Sequence, residues 1–147
     1  MNKFILLALL LAGSPAHAAL SVFACEPEWA SLTQLLAGDK VSLYTATGAL
    51  QDPHRVEARP SLIARARRAN LVVCTGAELE TAWLPVILRE SANATIQPGG
   101  AGNFEAAKYV QMLEIPTHLD RGDGDVHAMG NPHIQTDPRN FLPVAEA

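Results

Sequence analysis

The sequence has little of what marks several large classes of protein. Aromatic residues make up 5% of its 147 positions, which disfavours an aromatic sugar-binding platform. The 11 Lys and Arg residues are outnumbered by 15 Asp and Glu residues, and the basic residues are not interleaved with aromatic ones. Nothing therefore indicates a nucleic-acid partner. The densest basic cluster, formed by Arg65, Arg67 and Arg68, is typical of the solvated face of a helix. We therefore expect no binding of nucleic acid.

Long apolar runs are also scarce, and the one at the N-terminus is too short to cross a membrane. Phe4–Ala12 is followed at once by the helix-breaking Gly13-Ser14-Pro15, whereas a transmembrane helix needs ~20 residues. Lys3 precedes the run, and Ala16-His17-Ala18 offers the small residues that a signal peptidase reads. Residues 1–18 are therefore predicted to be a signal peptide that directs export and is cleaved after Ala18.

After Ala18, strand-like and helix-like segments alternate along the chain. Strands are predicted at 20–25, 41–44 and 71–74, with a weaker one at 95–97, and helices at 27–37, 62–69, 78–90 and 104–113. Ser61 is expected to cap the second helix, and Pro85 to interrupt or kink the third. Strand–helix–strand units are right-handed and build parallel sheets. The predicted fold is one α/β lobe, with a roughly four-stranded, mainly parallel sheet flanked by helices.

Two cysteines, Cys25 and Cys74, end the first and third predicted strands. In the strand order 2-1-3 these strands are neighbours, ~4.8 Å apart, a spacing that a disulfide tolerates. Exported chains often pair two cysteines, because their compartment is oxidising. Adjacent parallel strands need not aim their side chains at each other, however, and a free cysteine packs well in a core. A disulfide and two free thiols both remain open.

Two loops each place a histidine directly after a proline. The first contains Asp52-Pro53-His54 and follows the end of a strand, where open α/β sheets place their ligands. Asp52 and Glu57 are near enough in sequence to accept a hydrogen bond from an imidazole N–H and so fix its tautomer. Because neutral imidazole is a common zinc ligand, His54 is a candidate metal ligand.

The second loop contains Asn131-Pro132-His133, followed by Asp137-Pro138. Gly, Asn and Pro make this stretch unsuitable for a helix interior, so His133 is expected to point into a cleft. His127 lies six residues earlier and could reach the same cleft, but a solvent-facing position is favoured for it. His118 has no motif around it and is expected at the surface.

Together the two loops resemble the metal-binding substrate-binding proteins of bacterial ABC importers for zinc and manganese. The resemblance implies two α/β lobes that are joined by a long helix, with the metal between them. The chain matches the N-terminal lobe alone, with residues 19–137 as the lobe and 138–147 as the start of a truncated linking helix. His54 and His133 match the first two metal ligands, and the remaining ligands are expected in the second lobe. Gln135-Thr136 replaces a large apolar pair of the family, so packing behind His133 is expected to be looser.

The resemblance implies a periplasmic receptor, and not an enzyme. Such a receptor captures a divalent transition metal, Zn²⁺ or alternatively Mn²⁺, and delivers it to the membrane permease of an ABC importer; we expect a monomer. Two imidazoles favour zinc over magnesium or calcium, which prefer oxygen ligands. One alternative is a secreted metallohydrolase that uses the same histidines to hold a catalytic zinc, although no HExxH spacing is present. Another is an α/β domain whose loop histidines are incidental.

Overall fold

The structure, a computed structural model, describes residues 18–120, 122, 124 and 126–147. The predicted signal peptide falls on residues 1–18, so that all of it except Ala18 lies outside the described residues. Within the described ranges, no helix has both the length and the apolar character that crossing a bilayer requires.

Four parallel strands form one sheet in the order β2-β1-β3-β4. The strands are β1 (Leu20–Ala24), β2 (Val41–Thr45), β3 (Leu71–Cys74) and β4 (Asn103–Glu105). The helices are α1 (Pro27–Ala37), α2 (Pro60–Arg68), α3 (Leu84–Ser91) and α4 (Phe141–Glu146). This arrangement confirms the predicted fold class and the predicted order of the first three strands.

Both faces of the sheet are covered, because alternate residues of each strand point to opposite sides. Phe23 and Val72 pack on one side against a cluster that includes Leu62 of α2 and Ile87 of α3. The neighbouring positions in these strands pack on the other side, where the buried partners include Trp29, Ala106, Ile134 and Val144. The sheet is therefore a rigid base, and its carboxyl edge is where the loops that follow the strands emerge.

Two predicted helix starts are displaced, and proline explains both displacements. The second helix begins at Pro60, with Arg59 at the N-cap position, so Ser61 lies inside the helix and does not cap it. The third predicted helix, 78–90, is in fact a series of turns up to Trp83, followed by α3. Pro85 lies in the first turn of α3 and neither interrupts nor kinks it. A proline in the first turn of a helix costs no hydrogen bond, because the N–H groups there have no partner within the helix.

The fourth strand lies later in the chain than predicted. Residues 95–97 fall largely in a 3₁₀ turn, Ala94–Ile96, and β4 occupies the start of the segment predicted as the helix 104–113. Gly102 makes this possible: a Cβ atom there would collide with the carbonyl oxygen of Asn70, and the Gly102 carbonyl accepts a hydrogen bond from the amide of Val72. The glycine-rich connector thus brings the chain into contact with β3, and the helical spacing that follows is realised only as the 3₁₀ turn Ala106–Tyr109.

Candidate metal centre

The loop after β2 holds His54 in a tight turn that is closed by Asp52. Pro53 has no N–H, so the Asp52 Oδ1 atom accepts its hydrogen bond from the backbone N–H of His54, at 3.0 Å. The same oxygen lies 2.9 Å from the His54 Nδ1 atom. These two contacts with His54 lower the pKa of the Asp52 carboxyl, the backbone hydrogen bond most strongly. With its proton on Nδ1 facing Asp52, His54 directs the lone pair of Nε2 away from the carboxylate.

The second loop repeats this construction around His133. The Asn131 Oδ1 atom accepts from the backbone N–H of His133 at 3.0 Å, across the buried Pro132. The backbone N–H of Asn131 donates a hydrogen bond to the Leu113 carbonyl at 2.8 Å, and the Asn131 side chain donates to the Glu114 carboxylate at 2.8 Å. Both histidines are therefore held by the backbone of a proline turn, independently of their own rings.

The two loops meet, and His127 joins them. The ring centroid of His54 lies 5.2 Å from that of His133 and 5.2 Å from that of His127. The Nε2 atoms of His54 and His127 are 3.1 Å apart. Two imidazole nitrogens on one tetrahedral zinc ion lie about 3.3 Å apart, given Zn–N bonds of 2.0–2.1 Å. The sequence favoured a solvent-facing His127, but the structure places it partly buried against His54.

The environment of His133 favours the neutral form of its ring. Partial burial lowers the pKa of the His133 imidazole, and the nearby rings of His54 and His127 lower it further, while Asp52 opposes them. A metal binds only the neutral form of imidazole. The lowered pKa of His133 therefore favours the form that coordinates.

One stretch of chain, residues 75–83, holds both histidine loops; we call it the bridging segment. The Trp83 Nε1 atom donates to the Pro53 carbonyl at 2.8 Å, and Glu78 Oε2 accepts from the Ala128 amide at 2.6 Å. Ala77 and Glu78 have positive φ angles of 49° and 72°. Such angles are costly for residues that carry a Cβ, and they are kept where surrounding contacts determine them. The bridging segment thus fixes His54 and His127 relative to each other.

A buried acidic pair lies beneath the bridging segment, and sequence reasoning missed it. Glu80 accepts from the Thr75 amide at 2.8 Å and from the Gly76 amide at 3.1 Å. Glu26 accepts from the Thr75 hydroxyl at 3.1 Å, and Trp29 donates to that hydroxyl at 2.8 Å. Burial raises the pKa of both carboxyls, and the charge of Glu80 raises that of Glu26 further. The available signal was that Glu26 directly follows a buried strand, at the sheet edge where ligands gather.

The cysteines lie beside this acidic pair. Cys25 follows β1 and Cys74 ends β3, their Cα atoms are 4.8 Å apart, and the structure joins their sulfur atoms. Both residues are fully buried.

Other candidate residues lie apart from the histidines. The Glu57 side chain is exposed and makes no hydrogen bond or ion pair with a residue in the described ranges. In the Gln135-Thr136 pair, the Thr136 hydroxyl donates to the His133 carbonyl at 2.7 Å. Gln135 Oε1 is buried, and no hydrogen bond to it is found in the described part of the chain. The structure thus brings His54, His127, His133 and Asp52 together, without Glu57.

Several curated proteins are similar to this chain. The manganese ABC transporter substrate-binding lipoprotein PsaA of Streptococcus anginosus is 30% identical over 115 residues, which cover 76% of this chain and 36% of PsaA. The manganese ABC transporter substrate-binding lipoprotein scaA of Streptococcus gordonii is 26% identical over 115 residues, with the same coverage. The chain therefore spans about a third of the length of these relatives.

Solved structures share the fold. A crystal structure of ZnuA superposes with a TM-score of 0.65 at 22% identity, covering 88% of this chain and 46% of that one. Zinc-bound AdcA from Streptococcus pneumoniae gives a TM-score of 0.60 at 19% identity, covering 88% of this chain and 24% of AdcA. The family described as "ZnuA: Zinc-uptake complex component A periplasmic" matches residues 22–147. The match extends over nearly all of the described chain, and the chain therefore belongs to the ZnuA family.

Proposed function

We propose that this chain forms the N-terminal lobe of an exported receptor that captures a divalent transition metal, Zn²⁺ first. The observation that carries the proposal is the convergence of three imidazoles from two separate loops, with 3.1 Å between the Nε2 atoms of His54 and His127. Without a metal, this contact between the two rings gives at most one hydrogen bond, from the Nε2–H of one ring to the Nε2 lone pair of the other. A cation between them turns that contact into two coordinate bonds.

The ligand types favour zinc over manganese. His54, His127 and His133 offer nitrogen, which suits zinc, whereas manganese is better matched by carboxylate and water oxygen. Asp52 is the carboxylate that touches the cluster, and it is engaged with the Nδ1 atom of His54. In that position it orients a ligand and strengthens its basicity without supplying an oxygen to the metal. Relatives named for manganese keep Mn²⁺ as the second candidate cargo.

The proposed receptor acts outside the cytoplasm and performs no turnover. Residues 1–18 would direct export to the periplasm, and the bound ion would pass to the membrane permease of an ABC importer. Curated relatives are named as substrate-binding lipoproteins of ABC transporters, which supports binding without catalysis. We propose that it acts as a monomer. We also propose that a second lobe supplies further ligands in this family fold. The three imidazoles alone would then bind the ion weakly enough for it to exchange with solvent.

Calorimetric titration of the exported, oxidised chain with Zn²⁺ tests the proposal. We expect one ion per chain, and His54→Ala or His133→Ala should each weaken binding by more than the roughly 10- to 100-fold that loss of an outer-shell partner costs. His127→Ala should weaken binding comparably, because it removes one of the facing nitrogens. His118→Ala, which replaces an exposed histidine outside the cluster, is the matched control and should bind like the parent. Unchanged zinc binding in both His54→Ala and His133→Ala would refute the proposal.

A further inference from the structure

The bond between Cys25 and Cys74 lies beside a buried carboxylate. The two sulfur atoms and a carboxylate oxygen of Glu80 all lie within 4.8 Å of one another. The three residues are only 0%, 1% and 3% exposed, respectively. Two thiolates and a carboxylate are a ligand set that zinc accepts. Three candidate ligands thus meet where β1 and β3 end beside the bridging segment. They offer sulfur and oxygen atoms, whereas the histidine cluster offers nitrogen.

A cavity of about 330 Å³ leads to these residues from the surface. Cys74 and Glu80 form part of its wall, and Glu78 and Glu105 add two more carboxylates. Arg89 also lies in this wall, so three carboxylates face one guanidinium, and the excess of negative charge attracts cations. The cavity therefore gives a cation a route to Cys74 and Glu80 that does not cross the sheet.

Glu26 places another buried carboxyl group directly after Cys25. It is 2% exposed, and its Oε1 atom has no hydrogen-bond partner within the described ranges, while Oε2 accepts from Thr75. A buried polar atom without a partner is costly, so the structure must offer it a proton or a cation.

We propose that Cys25, Cys74 and Glu80 form a second metal site that binds a thiophilic divalent cation, Zn²⁺ or Co²⁺, once the disulfide is reduced. A dithiol reductant supplies two electrons and two protons: its own thiols become a disulfide, the bond between Cys25 and Cys74 breaks, and each sulfur becomes a thiol. The cation then displaces both thiol protons to water and is held by two thiolates and the Glu80 carboxylate. In the oxidised chain the sulfur atoms have no thiolate to offer, so the site is closed.

The charge count supports this ligand set. Two thiolates and one carboxylate around a divalent ion leave one net negative charge, which the Thr75 and Gly76 amides that donate to Glu80 help to stabilise. Because Cys74 and Glu80 line the cavity, a water molecule from the cavity would be available as a fourth ligand.

A chain with His54, His127 and His133 all replaced by alanine isolates the second site from the first. It is titrated with Co²⁺ before and after treatment with a phosphine reductant, and the sulfur-to-cobalt charge-transfer absorption in the near ultraviolet is followed. We expect one Co²⁺ per reduced chain with this band, which Zn²⁺ should erase by displacement, and no band in the oxidised chain. Absence of the band after reduction would overturn the proposal, whatever the histidine cluster does in its own titration.

An unfolded dithiol chain could also bind cobalt through its cysteines, so two variants separate the cases. If the folded site is the one that binds, Glu80→Gln removes a ligand. It should then weaken Co²⁺ binding by more than the roughly 10- to 100-fold that loss of an outer-shell partner costs. Glu105→Gln removes the same charge from the wall of the same cavity, where Glu105 pairs with Lys108, and should leave binding unchanged. Equal binding by the reduced parent and both variants would overturn the proposal.

Discussion

Asp52 offers the sharpest test of how the histidine cluster is positioned. Its Oδ1 atom serves two hydrogen bonds of His54 at once, from the backbone N–H at 3.0 Å and from the ring Nδ1 at 2.9 Å. Asp52→Asn keeps an oxygen that can accept both bonds and removes only the negative charge. Asp52→Ala removes the acceptor as well, so the turn loses its closing bond and the ring loses its orientation.

These two substitutions should weaken zinc binding in a fixed order. Replacing an outer-shell partner of a metal-bound histidine typically costs about 10- to 100-fold in metal affinity. Because the Asp52 side chain is half-exposed and its charge is screened by water, Asp52→Asn should fall at the lower end of that range. Asp52→Ala should fall at the upper end. Zinc affinity is measured by competition with a chromophoric chelator at one fixed pH and salt concentration.

The chain contains its own control for this experiment. Asp137 closes a third turn of the same kind, accepting from the backbone N–H of Arg139 at 3.0 Å, but it pairs with a guanidinium and touches no imidazole. Asp137→Asn therefore removes the same charge from the same turn, and its zinc affinity should equal that of the parent. If Asp52→Asn and Asp137→Asn lower zinc affinity equally, general electrostatics and not orientation of His54 explains the effect, and the reasoning fails.

Two further predictions concern the buried centre of the lobe. The oxidised chain should show no titratable thiol after denaturation, and two titrated thiols would contradict the bond. Replacing both Cys25 and Cys74 by serine should lower the free energy of unfolding by about 4 kcal/mol, because the bond closes a loop between residues that are 49 positions apart. Because burial raises the folded-state pKa of Glu26 above its ordinary value of 4.5, its contribution to stability is complete below that value and is lost as pH rises through the folded-state pKa. Glu26→Gln should therefore flatten the decline in the urea midpoint of unfolding between about pH 5 and pH 9, and a variant that keeps the slope of the parent would count against the assignment.

The strands and the histidine turns could be predicted because their signals are local. β1, β2 and β3 are short apolar runs bounded by turn residues, and they appear within one residue of their predicted bounds. The turns at His54 and His133 depend on an Asx residue and a proline at adjacent positions, so three consecutive residues determine the conformation of each turn.

The errors arose where a distant contact decides the structure. The helical spacing after Phe104 competes with pairing to β3, and a strand wins at residues 103–105 because Gly102 lets the backbones approach. His127 carries no motif of its own, and its place beside His54 follows from the hydrogen bond between Ala128 and Glu78, 50 residues apart in the sequence. The acidic pair was missed for the same reason: Glu26 and Glu80 meet only when β1 and β3 become neighbours.

The proline turns separate the shape of a loop from the identity of the residue it presents. In each of the three turns, the Asx side chain accepts a hydrogen bond from the main-chain N–H of the third residue. The His54 ring and the Arg139 guanidinium add a side-chain contact with the same carboxylate, but the main-chain bond is common to all three turns. Histidine occupies that position twice, and Arg139 occupies it once without altering the backbone contact. The donor atom at position 54 or 133 can thus be exchanged, for instance for a thiol or a carboxylate, while the loop keeps its path. If the cluster binds a metal as proposed, single substitutions at these two positions should change which metal it prefers.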